Sequence, residues 1–151
     1  MKFLFKTTNS FAPTLARLTL GIVFFPHGAQ KVLGWFGGYG FSGTYNYFTQ
    51  QAHIPAVFAV LAIAAEFLGS LGLITGFLSR IAAFGIAVNM VVAVAMVHAQ
   101  NGFFMNWFGN QKGEGFEYHI LAVGLALIVM IYGAGKASAD ALIAGRVAKK
   151  Q

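Results

Sequence analysis

Long apolar runs alternate with short polar or aromatic connections along this chain, and the run lengths match a bilayer. A helix needs about 20 residues to cross roughly 30 Å of hydrocarbon. Four runs meet or approach that length: residues 11–34, 55–78, 81–98 and 117–135. No ten-residue segments alternate as barrel strands do, so strands are not predicted. The pattern predicts an all-α fold: an integral membrane four-helix bundle in one domain over residues 1–151. Lys2 and Lys6 precede the first run as in a signal peptide. That run is too long for a signal core and lacks a convincing small-residue cleavage site, so it reads as a retained span.

The connections differ in kind. Only Ser79 and Arg80 separate the second run from the third, which predicts a tight antiparallel hairpin. The first connection, residues 35–54, and the third, residues 99–116, are rich in aromatics such as Trp35, Phe103, Phe104, Trp107 and Phe108. Aromatic rings of this kind gather at the headgroup level. Residues 42–52 read as a short helix lying on the membrane, and the tail, residues 136–151, as an interfacial anchor on anionic lipid.

Composition supports a lipid environment. The chain is 58% hydrophobic and only 9% charged, against a usual charged share of about 25%. Nineteen glycines suit close helix contact in membranes. The net charge of +6 does not point to nucleic acid, because the basic residues stand singly at the ends of apolar runs. Their distribution orients the chain instead. Lys2, Lys6, Arg17, Arg80, Lys136, Arg146, Lys149 and Lys150, eight of the ten lysines and arginines, fall on one side. The positive-inside rule makes that side cytoplasmic, with both termini on it, in the inner (plasma) membrane. With no cysteine, a disulfide, a thiol relay or a thiolate zinc site within the chain is excluded.

Polar residues inside the apolar runs are the candidate chemistry, because an ionisable group in a span is costly. At 100° per residue, Arg17, Gly21, Phe24, Gly28 and Lys31 form one stripe, with His27 beside it and Pro26 inviting a kink. Glu66 shares a sector of the second run with Gly69, Gly72 and Gly76, and so points into the bundle. Antiparallel packing then brings His27, Lys31, His98, Glu117 and His119 toward the outer third of the bundle, with Glu66 beneath them. Arg17 is close enough to the cytoplasmic end to snorkel. Asn89 reads as interhelical hydrogen-bond glue, and Glu114 and His53 as solvated loop residues.

Three chemistries suit that cluster. Histidines and carboxylates ligate transition metals, although four residues on three helices without a local motif are a weak metal signal. They also hydrogen-bond and protonate quinone carbonyls. A buried pair such as Lys31 with Glu66 or Glu117 can instead simply fix helix register. The candidate assignments are Glu66 and Glu117 for proton handling, and His27, Lys31, His98 and His119 for ligand contact. No metal-ligating set is assigned. The cofactor is left unidentified, with quinone the leading candidate and haem or metal still open.

Four patches, in this order and spacing, resemble the DoxX family of small four-span membrane proteins. They are residues 17–34 with their PHGAQKVLG core, EFLG at 66–69 followed by LITGFLSR at 73–80, HAQNGFF at 98–104, and GFEY at 115–118. The stretch GAGKASAD at 133–140 looks like the family's closing signature, with Ala134 where a proline is usual. The resemblance implies a subunit linked to quinone-dependent sulfur-compound oxidation, to terminal oxidases or to oxidative-stress complexes. The fold is similar to that of quinone-handling four-helix reductases, whose thiol mechanism cannot operate without cysteine. Two functions follow as expectations: a quinone- or redox-linked oxidoreductase subunit, or a non-enzymatic anchor for a soluble oxidoreductase. The expected partners are the lipid bilayer, a soluble or membrane redox protein and possible further copies of the chain, but not nucleic acid.

Overall fold

A computed structural model describes residues 2–148. Among these residues there are helices and turns and no strands. A short helix α1 (Lys2–Phe5) precedes α2 (Ala12–Leu33), which runs unbroken through Pro26. The first connection forms α3 (Gly40–Asn46) and a π-helical turn, Tyr47–Gln51, where a short helix was expected. Then come α4 (Ala56–Thr75), α5 (Ser79–Ala93), α6 (Glu117–Tyr132) and α7 (Ala139–Ala148). Beyond Ala93 the α5 backbone continues through a π-helical turn, Val94–His98, and a 3-10 turn, Ala99–Asn101. Lys149 and Lys150, the basic end of the tail, lie outside the described residues.

The four long helices pack in a closed order: α2 on α4, α4 on α5, α5 on α6, and α6 back on α2. Their shared core contains Leu20 and Phe24 of α2, Leu73 of α4, Ile86 and Met90 of α5, and Ala126 and Val129 of α6. The outward faces carry large apolar residues, among them Leu61, Leu68, Leu121 and Ile131, each more than half exposed. Lipid tolerates such faces and water does not. Two helical stretches, Ala56–Thr75 and Ser79–Asn101, are long and apolar enough to cross a membrane, and Glu117–Tyr132 is a shorter apolar helix.

Small residues set the closest approach. A Cβ on Gly28 would stand 2.6 Å from the Phe67 Cα, so the α2 and α4 backbones touch there. The spacing of Gly72 and Gly76 also serves internal contacts. Gly72 packs against Ala82 and the Phe77 carbonyl, and Gly76 against Ser138 and Arg17.

Helix boundaries depart from the expected ones at the end of the molecule that holds Arg17. α4 stops at Thr75 because Gly76 turns left-handed at φ 70°, and Phe77 N–H closes onto the Gly72 carbonyl at 2.9 Å. The hairpin connection is therefore residues 76–78, and Ser79 and Arg80 already belong to α5. The Asp140 carboxylate accepts from Leu78 N–H at 2.8 Å and Ser79 N–H at 3.0 Å, capping α5 from a distant part of the chain. Arg17 does not snorkel to the interface. It is 2% exposed and donates to the carbonyls of Leu73, Ile74, Ala134 and Ala137 at 2.7–2.9 Å. The reason is geometric: the last turn of α4 and the turn between α6 and α7 leave carbonyls without helical partners, and four of the guanidinium's five donors meet them. Arg80 likewise donates to the carbonyls of Lys6 and Met130, with Phe3 beneath its guanidinium.

Candidate functional site

At the opposite end from Arg17, the α2–α4 contact brings two charges together. Lys31 Nζ donates to Glu66 Oε2 at 2.6 Å. Asn89 Nδ2, from α5, donates to Glu66 Oε1 at 2.8 Å. The Glu66 side chain is 7% exposed and that of Lys31 23%. Each carboxylate oxygen thus has one donor, which is how a buried charge is tolerated. Asn89 does link helices, and its partner is the candidate carboxylate itself.

His27 lies one helical turn before Lys31, close enough to interact electrostatically with both Glu66 and Lys31. Its ring is exposed on the α2 surface and packs 6.1 Å from Phe24. Tyr118 of α6 approaches from the other side. It stacks on Phe24 with centroids 6.1 Å apart and feels the Glu66 charge. Its hydroxyl is buried without a hydrogen-bond partner. Sequence reasoning assigned Tyr118 no role, because beside Glu117 and His119 it reads as an ordinary core aromatic.

The remaining candidates form a second group where α5 ends and α6 begins. His98 and His119 meet ring to ring, with centroids 4.1 Å apart. His119 is 6% exposed and its Nδ1 has no partner. Glu117 turns toward the loop: its Oε1 accepts from Met105 N–H at 2.9 Å and from the Trp107 indole N–H at 3.2 Å. Glu114 is more than a solvated residue. Its carboxylate accepts from Asn106 N–H at 2.7 Å, and its carbonyl accepts from Asn101 at 3.0 Å and receives the His98 ring at 2.8 Å. These bonds shape residues 102–116 although the segment contains no long helix.

The six candidates therefore fall into two neighbouring sets. Lys31, Glu66 and His27 form one, joined by Asn89 and Tyr118. His98, His119 and Glu117 form the other, joined by Glu114. Adjacent positions on α6 connect them, because the Tyr118 and His119 rings are 5.6 Å apart, edge to face. Among the described residues no group of three or more His, Cys, Asp or Glu side chains is placed to hold a metal ion.

The family model described as DoxX matches residues 12–99, more than half of the 151 residues. The matched stretch includes His27, Lys31, Glu66, Asn89 and His98, and ends before Tyr118 and His119. No curated protein and no solved structure matches the chain.

Proposed function

The chain belongs to the DoxX family of membrane proteins, and we propose that it holds a quinone-like redox ligand between its helices near the outer leaflet. In this reading α2, α4, α5 and α6 form a four-helix bundle that spans the inner membrane as a single domain, with both termini cytoplasmic. The basic residues support that orientation. Arg17 and Arg80 are buried, and Lys6, Lys136 and Arg146 lie on the same side as they do.

The observation that carries the ligand reading is a pair of buried polar atoms without partners on adjacent residues of α6: Tyr118 Oη and His119 Nδ1. A buried polar group left unpaired costs about 1–3 kcal/mol, a cost that a ligand bonding to Tyr118 Oη and His119 Nδ1 would relieve. The donors fit a carbonyl-bearing, otherwise apolar molecule. Tyr118 offers one O–H. Lys31 has three N–H bonds, of which Glu66 engages one. Phe24 and the His27 ring supply flat apolar neighbours.

A quinone, when bound, supplies two-electron chemistry coupled to protons. The chain's own residues handle the rest. Tyr118 and Lys31 donate to ligand oxygens, and His27 fixes the ring's position. Glu66, which accepts hydrogen bonds from Lys31 and Asn89, would take up the proton that a bound quinol releases when a redox partner withdraws its electrons. His98 and His119 face the outer end of the site, and Glu117 organises the loop above it. The test is the visible–ultraviolet spectrum and solvent extract of the purified protein. A co-purifying quinone that Tyr118→Phe and Glu66→Gln variants lose supports the reading. Equal retention by those variants places the ligand elsewhere and refutes the site.

One observation favours a second reading, a non-enzymatic anchor for a soluble oxidoreductase. Trp107 and Phe108 are 79% and 90% exposed on a loop that Glu114 and Glu117 hold in shape. That reading predicts that Trp107→Ala and Phe108→Ala release a partner while Glu66→Gln leaves the complex intact and active.

A further inference from the structure

The contact between His98 and His119 is built by the backbone. α5 widens into the π-helical turn Val94–His98 just before the two rings meet, with their planes tilted by 44°. Such turns are frequent at functional positions. The turn leaves His98 half-buried at the helix end, while His119 is buried inside the first turn of α6.

The proton positions follow from the partners. His98 Nδ1 faces the Glu114 carbonyl at 2.8 Å, and a carbonyl only accepts, so that nitrogen carries hydrogen. His119 Nδ1 has no partner. One proton beyond the neutral state can be carried by the pair. A second puts two like charges on rings whose centroids are 4.1 Å apart.

The surrounding charges are already engaged. On α6, Glu117 accepts from Met105 and Trp107, and Tyr118 is neutral. On the loop, Glu114 accepts from Asn106. Across the helices, Glu66 of α4 is paired with Lys31 of α2, and His27 lies beside them. A doubly protonated pair would therefore be poorly compensated. The Glu114 carbonyl joins His98 and Asn101 to the loop, so displacing His98 from His119 strains one of the bonds that hold residues 102–116.

We propose that His98 and His119 form a proton-operated latch on the outer loop, closed with at most one added proton on the pair and released when both rings are charged. This inference concerns the protein without a bound ligand, in which His119 Nδ1 is free to take up a proton. Mildly acidic surroundings on the outer side would part the two rings and loosen the loop where the Glu114 carbonyl meets His98.

The test uses the full chain in phosphatidylcholine nanodiscs, with isotope-labelled histidine and a Trp35→Phe background so that Trp107 alone reports the loop. The rings of His98 and His119 are assigned by their contact with each other. On acidification the two rings should take up their protons one after the other rather than together. The Trp107 emission should change with the second uptake. His98→Gln and His119→Gln should each abolish that emission change. Independent titration of the two rings with one common midpoint overturns the latch even if neither variant folds. An emission change that persists in both variants overturns it as well, and assigns the response to Glu114 or Glu117.

Discussion

Lys31 of α2 and Glu66 of α4 meet at 2.6 Å one helical turn from the point where Gly28 lets the two backbones touch. Charge pair and glycine contact are one arrangement. Without the close approach, a lysine extending from α2 could not reach a carboxylate on the face of α4 that also meets Asn89 of α5. The pair ties three helices together and places a fixed carboxylate beside Tyr118.

Removing one member of this pair should cost more than removing both. Lys31→Met leaves Glu66 with Asn89 alone, and an uncompensated buried charge costs about 3–5 kcal/mol. Replacing both residues with apolar ones removes the desolvation penalty as well. Unfolding of Lys31→Met, Glu66→Leu and the double variant in detergent checks this. The expected result is a double variant more stable than either single one; additive losses would show that the two residues do not interact.

Gly28 and Gly124 should respond oppositely to alanine. A Cβ at Gly28 meets the Phe67 backbone at 2.6–2.7 Å, whereas a Cβ at Gly124 meets nothing within 4 Å. Overpacking costs about 1–3 kcal/mol, and alanine in an open helical position gains about 1 kcal/mol over glycine. Thermal unfolding should therefore show Gly28→Ala destabilised and Gly124→Ala unchanged or stabilised.

Arg17 should not be replaceable by lysine. Four carbonyls, two from the last turn of α4 and two from the turn between α6 and α7, converge on its planar guanidinium, and an ammonium cannot meet them in that geometry. Arg17→Lys should lose about 2 kcal/mol or more through carbonyls left unpaired. Amide exchange should rise at residues 134–140 before it rises in the outer half of α2. Unchanged exchange there would mean that the inner end is held by other contacts.

The long helices were legible because long apolar runs mark them, and two of these, Ala56–Thr75 and Ser79–Asn101, are long and apolar enough to cross a membrane. Glu66 was legible too, since a carboxylate among glycines on one helical face has few places to go. Arg17 was misread because position along a helix says how far a side chain must reach to water, not whether the chain folds back to enclose it. Residues 134–137 do enclose it, and no periodicity announces that. The stretch from Gly133 to Asp140 carried the signal only as a family signature, without its physical reason. That reason is now visible: Ala134 and Ala137 supply carbonyls to Arg17, and Asp140 caps α5. Tyr118 was missed because its importance lies in an unpaired hydroxyl, a property of packing rather than of sequence.

The central claim is that the unpaired polar atoms of α6 and the Lys31–Glu66 pair receive a carbonyl-bearing ligand. The most direct measurement is the binding of a short-chain quinone to delipidated protein, compared between the unmodified chain and Tyr118→Phe. Tyr118→Phe removes one hydroxyl and keeps the ring that stacks on Phe24. The account predicts saturable binding that weakens about tenfold, which corresponds to about 1.4 kcal/mol for one lost hydrogen bond. Binding that is absent in the unmodified chain, or equally tight in Tyr118→Phe, would contradict it.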